Sequence, residues 1–157
     1  MFSAKTYAAR RNMLRTKIGS GIILLPGNSL SPNNYPNNAY YFRQDSSFRY
    51  YFGLNTPSLA GLIDADTGEE ALYGDDFTVE DIIWTGPQPT LRELGAEVGV
   101  TATFPMAELE KRLRKAVSLG RKIHYLPPYR GETKLQLSAL LGIKPEPVSY
   151  THLRAHE

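Results

Sequence analysis

Three histidines, two aspartates two residues apart and the adjacent carboxylates Asp75-Asp76 and Glu80-Asp81 are residues of this chain that could do chemistry. His152 and His156 are spaced i, i+4, as a metal pair on a helix would be. They lie, however, in residues 148–157, an aperiodic string that resembles a translated transposase sequencing adapter. On that reading the spacing carries no chemistry. His124 sits alone in an apolar segment, where a histidine is more often packed than catalytic. Asp64 and Asp66 are spaced like the start of a calcium loop. Such a loop needs glycine sixth and a bidentate acid twelfth; here Gly68 is fifth and Asp75 is twelfth, so a turn is the better reading. Asp75-Asp76 and Glu80-Asp81 fall in polar connections. The chain has no Gly-x-Ser-x-Gly elbow, no His-Glu-x-x-His, no phosphate-binding loop and no dinucleotide fingerprint. Nothing assembles a nucleophile, a base and an orienting group. By its own residues the chain reads as non-catalytic and without a metal site.

Composition bounds the alternatives. The 157 residues suit one domain, 41% are apolar, and there is no cysteine, which fits a cytoplasmic protein and removes disulfide or thiolate sites. A net charge of +2 argues against a nucleic-acid partner, and Ile22–Leu25 is too short a run for a membrane span.

The elements that would position any site follow from periodicity. Ala4 to Ile18 reads as a helix capped by Ser3, with Tyr7, Leu14 and Ile18 at helix-compatible spacing and Arg10, Arg11, Arg15 and Lys17 on a solvated face. Gly21–Leu25 reads as a buried strand and Pro26–Asn38 as an Asn- and Pro-rich loop. The aromatic stretch Tyr40–Asn55 then predicts a strand over Tyr40–Phe42, a turn at Arg43-Gln44-Asp45, and a helix over Ser47–Phe52 stopped at Gly53. On burial tendency alone it is an aromatic core with a polar turn.

Leu59–Ile63 and Glu70–Tyr73 predict a β-hairpin around Gly68, and Glu80–Trp84 a further strand with Trp84 packed at its end. Thr90-x-x-Glu93 is a capping box. Met106, Leu109, Leu113 and Ala116/Val117 mark an amphipathic helix that stops at Gly120. Ile123–Leu126 is the next strand, and Glu132–Leu141 a last helix before Gly142. Interleaved strands and helices with one hairpin predict an α/β fold with a mixed sheet flanked by helices, in a single domain.

Phe42-Arg-Gln-Asp-Ser-Ser-Phe-Arg-Tyr-Tyr-Phe-Gly-Leu-Asn55, the hairpin, and Asp81-Ile-Ile-Trp-Thr-Gly86 together resemble the N-terminal domain of Xaa-Pro aminopeptidases (aminopeptidase P). Arg10-Arg-x-x-Leu14 and the strand Gly21–Leu25 fit the same pattern, so the resemblance covers residues 3–147. Phe52 stands where many relatives have threonine, and Asp45 where several have asparagine. The resemblance implies a ribonuclease-H-like (creatinase/prolidase N-terminal) fold without nuclease activity, in a domain of residues 1–147. It also implies a following pita-bread catalytic domain, absent from this chain, whose two manganese ions would be held by two Asp, one His and two Glu. That enzyme would remove the N-terminal residue preceding proline. The N-terminal domain would narrow access to the site and help form a homo-oligomer, with Trp84, Arg43 and Asp45 as the tentative substrate or inter-subunit residues and proline-containing peptides as ligands. Alternatives are the N-terminal domain of an Xaa-Pro dipeptidase (prolidase) and a stand-alone, non-enzymatic binding or assembly module.

Overall fold

The computed structural model describes residues 1–142; the adapter-like string with His152 and His156, and the expected domain exit at Pro145–Pro147, lie outside them. The first helix, α1 (Ala4–Ile18), begins where the Ser3 hydroxyl accepts the Thr6 N–H and ends at Gly19, whose φ of +83° closes the last turn. Strand β1 (Ile22–Pro26) follows, then a small hairpin of β2 (Pro32–Tyr35) and β3 (Asn38–Ala39). Helix α2 (Ser46–Phe52) is capped by Asp45 and stopped by Gly53 in the left-handed region. Strands β4 (Ala60–Asp64) and β5 (Glu70–Tyr73) form the expected hairpin, with Gly68 at φ +80°. Helices α3 (Val79–Thr85) and α4 (Leu91–Glu97), strand β6 (Ala102–Phe104), helix α5 (Met106–Ser118), strand β7 (Ile123–His124) and helix α6 (Gly131–Leu141) complete the described chain.

Five strands make one mixed sheet in the order β6-β5-β4-β1-β7. β4 runs antiparallel to both of its neighbours, and β7 and β6 pair in parallel with β1 and β5. β1, β5, β6 and β7 therefore all point the same way, with β4 reversed between them. Alternation along β1 shows how the layers form. Ile23 and Leu25 join Tyr7, Phe48, Phe52, Leu54, Ile63, Leu72, Leu91, Leu94 and Val98 under α1, α2 and α4. Ile22 and Leu24 join Leu62, Tyr73, Leu109, Leu113, Ala116 and Leu137 under α5 and α6. A strand covered on both faces must be apolar at every position, which is why β1 shows no polar alternation.

Four expectations need correction. Tyr40–Phe42 is not a strand; the short pairing lies just before it, at Asn38–Ala39, within the stretch expected to be pure loop. Tyr40 and Tyr41 are exposed; Phe48 and Phe52 of this aromatic stretch fill the core, their rings stacked 5.3 Å apart, and Tyr51 packs half-buried against it. Glu80–Trp84 is helical, because Thr78 and Asp81 form a capping box: Asp81 N–H donates to the Thr78 hydroxyl and Thr78 N–H to the Asp81 carboxylate. Finally, the basic face of α1 is not all solvated. Arg11 is fully buried, donating from Nε to Glu70 at 2.7 Å, to the Tyr51 carbonyl at 2.9 Å and to the Val98 carbonyl at 2.8 Å.

Candidate functional site

Pro26, Tyr73 and Phe104 stand at one level of the sheet, with Ala60 opening β4 beside them. The segments leaving β1, β5 and β6, and the one entering β4, thus emerge at one end. Ligands of α/β sheets gather outside the carboxyl ends of the strands, where departing loops can wrap them. Arg43 and Asp45 lie on this rim, and Trp84 lies on the segment that leaves β5.

Gln44 ties the rim together. Its side chain is buried; Oε1 accepts the N–H of Asn28 at 2.8 Å and of Asp45 at 3.0 Å, while Nε2 donates to the Thr56 carbonyl at 2.9 Å. One amide thereby joins the segment after β1, the cap of α2 and the approach to β4. Gly27 has to be glycine for this junction to close, because a Cβ there would lie 2.8 Å from the Leu59 carbonyl oxygen and 3.0 Å from Gln44 Oε1. Ser58, hydrogen-bonded to the Asn28 carbonyl, holds a positive φ of 60° in the same junction, a conformation rare outside glycine.

Asp45 does two jobs. Oδ1 accepts the Phe48 N–H at 2.9 Å as the helix cap, and Oδ2 accepts the Tyr129 hydroxyl at 3.1 Å. Arg43 contributes its carbonyl to Asn28 Nδ2 at 2.9 Å and leaves its side chain exposed. The structure therefore brings Arg43 and Asp45 into one network with Asn28, Gln44 and Tyr129. Asn28 and Tyr129 did not stand out in the sequence. The signals were faint: a residue following Gly27, and a tyrosine following the Pro127-Pro128 break.

Trp84 stands apart on α3. Every residue of that helix is exposed, and Trp84 is 84% exposed, so the expected packed indole is corrected to a projecting one. Val79, Ile82 and Ile83 beside it are also exposed. Helix α3 is therefore not a core element: its apolar side chains are left uncovered among the described residues.

The opposite end of the sheet is closed by charge. Asp64 Oδ1 accepts the N–H groups of Asp66 and Thr67, confirming a turn, and pairs with Arg121 at 2.7 Å; Arg121 also meets Asp66 at 2.7 Å. Arg112 forks onto Glu69 at 2.9 and 2.8 Å and donates to the Tyr73 hydroxyl. Burial pushes the Asp64 carboxyl upward, but the Arg121 hydrogen bond and the turn N–H groups outweigh it and hold the group below the usual carboxylate range. The place a cation would take between Asp64 and Asp66 belongs to a guanidinium. Asp75 and Asp76 instead accept the N–H groups of Met106 and Leu91 at the starts of α5 and α4. Among the described residues no group of three or more His, Cys, Asp or Glu could hold a metal ion. His124 Nε2 lies 3.0 Å from the Ser20 carbonyl oxygen and helps seat the edge strand.

Comparison with known proteins agrees with this architecture. The fold is similar to solved structures of Escherichia coli aminopeptidase P, including its low-pH form and a zinc-substituted form in complex with product; both give a TM-score of 0.74 at 18% identity, over 90% of this chain and 33% of theirs. An uncharacterized peptidase of Saccharomyces cerevisiae is 25% identical over 111 residues, which are 71% of this chain and 21% of that protein. The chain thus spans a third or less of the length of these relatives. The model of the aminopeptidase P N-terminal domain matches residues 7–125, so the chain belongs to the aminopeptidase P N-terminal domain family.

Proposed function

We propose that this chain is the non-catalytic N-terminal domain of a metal-dependent Xaa-Pro aminopeptidase, with residues 1–147 forming the domain and 148–157 foreign to it. The observation that carries the reading is the family match over residues 7–125 of a fold whose rim presents an exposed indole and a rigid polar joint. In the proposal the metal, manganese, belongs to a catalytic domain outside this chain. The residues here do not suit a two-metal site, since Asp64, Asp66 and Glu69 are neutralised by arginines and Asp45, Asp75 and Asp76 are spent on helix caps. The rim would face the catalytic domain or that of a neighbouring subunit in a homo-oligomer. Arg43 and Asp45 would set the joint, and Trp84 would narrow the path of proline-containing peptides. No helix among the described residues is long and apolar enough to cross a membrane, and the absence of cysteine supports a place in the cytoplasm.

The test is kinetic. With the chain joined to its catalytic domain, Trp84→Ala raises KM for an Arg-Pro-Pro peptide or lowers turnover, with an unchanged circular dichroism spectrum. Unchanged kinetics with an intact fold would remove Trp84 from the access path.

A further inference from the structure

A cleft of about 250 Å³ opens between the segment after β1 and the segment after β7, lined among others by Asn28, Tyr40, Tyr41, Arg43, Tyr129 and Arg130. Two arginines, Arg43 and Arg130, line it; none of its lining residues is acidic, although Asp45 accepts the Tyr129 hydroxyl and Glu132 pairs with Arg130. Its walls are fixed. The Tyr129 hydroxyl is held by Asp45, and Asn28 Nδ2 binds the Arg43 carbonyl. Arg130 is anchored by Glu132 at 3.2 Å and by the Ser29 carbonyl at 3.4 Å. The exposed Arg43 side chain has no ion-pair partner among the described residues, a state it shares with Arg10, Arg15, Arg49 and Arg92.

We infer that this cleft is a carboxylate-binding subsite for an extended peptide. A planar guanidinium forks onto a carboxylate through two parallel N–H donors, which gives direction as well as attraction. Arg43 supplies the fork, and Arg130, already paired with Glu132, adds N–H donors rather than a second free charge. The exposed rings of Tyr40 and Tyr41 offer apolar faces to the residue before the carboxylate, as aromatic grooves do for proline-rich segments. The carboxylate is either the peptide's own C-terminus or an Asp or Glu side chain. This inference rests on the peptide-processing reading above and adds to it a preference for what lies downstream of the proline. The rim would hold the far end of the substrate and play no part in bond cleavage.

The whole 157-residue chain, ¹⁵N-labelled, is titrated with three peptides: Arg-Pro-Pro-Gly-Gln with a free carboxyl, the same peptide amidated, and amidated Arg-Pro-Pro-Gly-Glu. The expected result is that the acidic peptides shift the amides around Asn28, Arg43 and Arg130, and that the neutral amide binds about tenfold more weakly, the loss of one charge-assisted contact. Binding of the first peptide only assigns the site to a C-terminus; binding of the third only assigns it to a side chain. Arg43→Gln lowers the affinity of the acidic peptides to that of the neutral one. Arg114→Gln, on the exposed face of α5, does not. Both side chains are exposed, so both variants should keep the parent circular dichroism spectrum. Equal affinity for all three peptides at the rim would overturn the subsite while leaving the proposed function standing. No shifts up to about 10 mM peptide, an affinity too weak to select anything, would also overturn it. So would shifts away from the cleft, an unaffected Arg43→Gln, or equal saturation by inorganic phosphate.

Discussion

Arg11 is the residue on which most of the fold's coherence depends. It lies on the apolar stripe of α1, four residues from Tyr7 and three from Leu14, and from there reaches Glu70 on β5, the end of α2 and the residue after α4. The Phe52 ring lies 5.3 Å from its guanidinium carbon. Removing one partner of a buried ion pair leaves the other uncompensated, and two backbone carbonyls here lose donors as well. Arg11→Met is expected to cost on the order of 3 kcal/mol, read as a lower urea midpoint with an unchanged slope. Arg11→Lys should recover little, because a single ammonium cannot meet three acceptors in one plane.

Asp64 makes the second residue-scale prediction. Its folded pKa lies below its unfolded value, so its contribution is present above the ordinary carboxylate range and is lost as pH falls through the lowered folded value. Asp64→Asn should therefore flatten the acid limb of the stability–pH profile measured by chemical denaturation. An unchanged acid limb would mean that Arg121 and the turn contribute nothing to it.

At the scale of elements, the sequence was most legible where one chemical signal decides the structure. The Ser3, Asp45 and Thr90 caps, the Gly53 and Gly142 stops and the Leu109/Leu113 stripe all stand as read. The β4–β5 hairpin does too, with Gly68 in its turn. It was least legible where short apolar runs fit two periods. Asp81-Ile-Ile-Trp84 looks like a strand by hydropathy, and only the Thr78–Asp81 box reveals a helix. β6 was missed because three half-buried residues at a sheet edge carry no pattern. Arg11 was misplaced because charge was read before position: the 7/11/14 spacing already put it on the buried stripe. Of the site, Arg43, Gln44 and Asp45 were visible as a polar turn. Their partners Asn28 and Tyr129, 101 residues apart, were not, because only the fold brings those loops together.

Trp84 is the chain's one tryptophan, so the intrinsic emission should be that of a solvated indole, readily quenched by acrylamide. Trp84→Ala should change stability by no more than about 0.5 kcal/mol. A blue-shifted, protected emission would place the indole in a core. Gly61 in β4 lies under the Phe52 ring, where an added Cβ would overlap ring carbons. Gly61→Ala is expected to cost about 1–3 kcal/mol by overpacking, seen as a lower thermal midpoint.

Taken whole, the molecule has two unlike ends. One is sealed by arginine–carboxylate pairs and holds the hairpin turn to α5 and β7. The other gathers loops from across the sheet, fixes them through Gln44 and Asp45, and exposes Trp84, Tyr41 and Arg43. Under the proposed function, only the second end meets a peptide and a partner. The most direct measurement incubates the labelled chain with manganese and Arg-Pro-Pro, following the peptide's own resonances and the chain's amides in one sample. The proposed function predicts an intact peptide and shifts confined to the rim, around residues 28–45, 79–85 and 125–130. Hydrolysis of the peptide, or shifts centred on Asp64, Glu69 and Arg121, would contradict it.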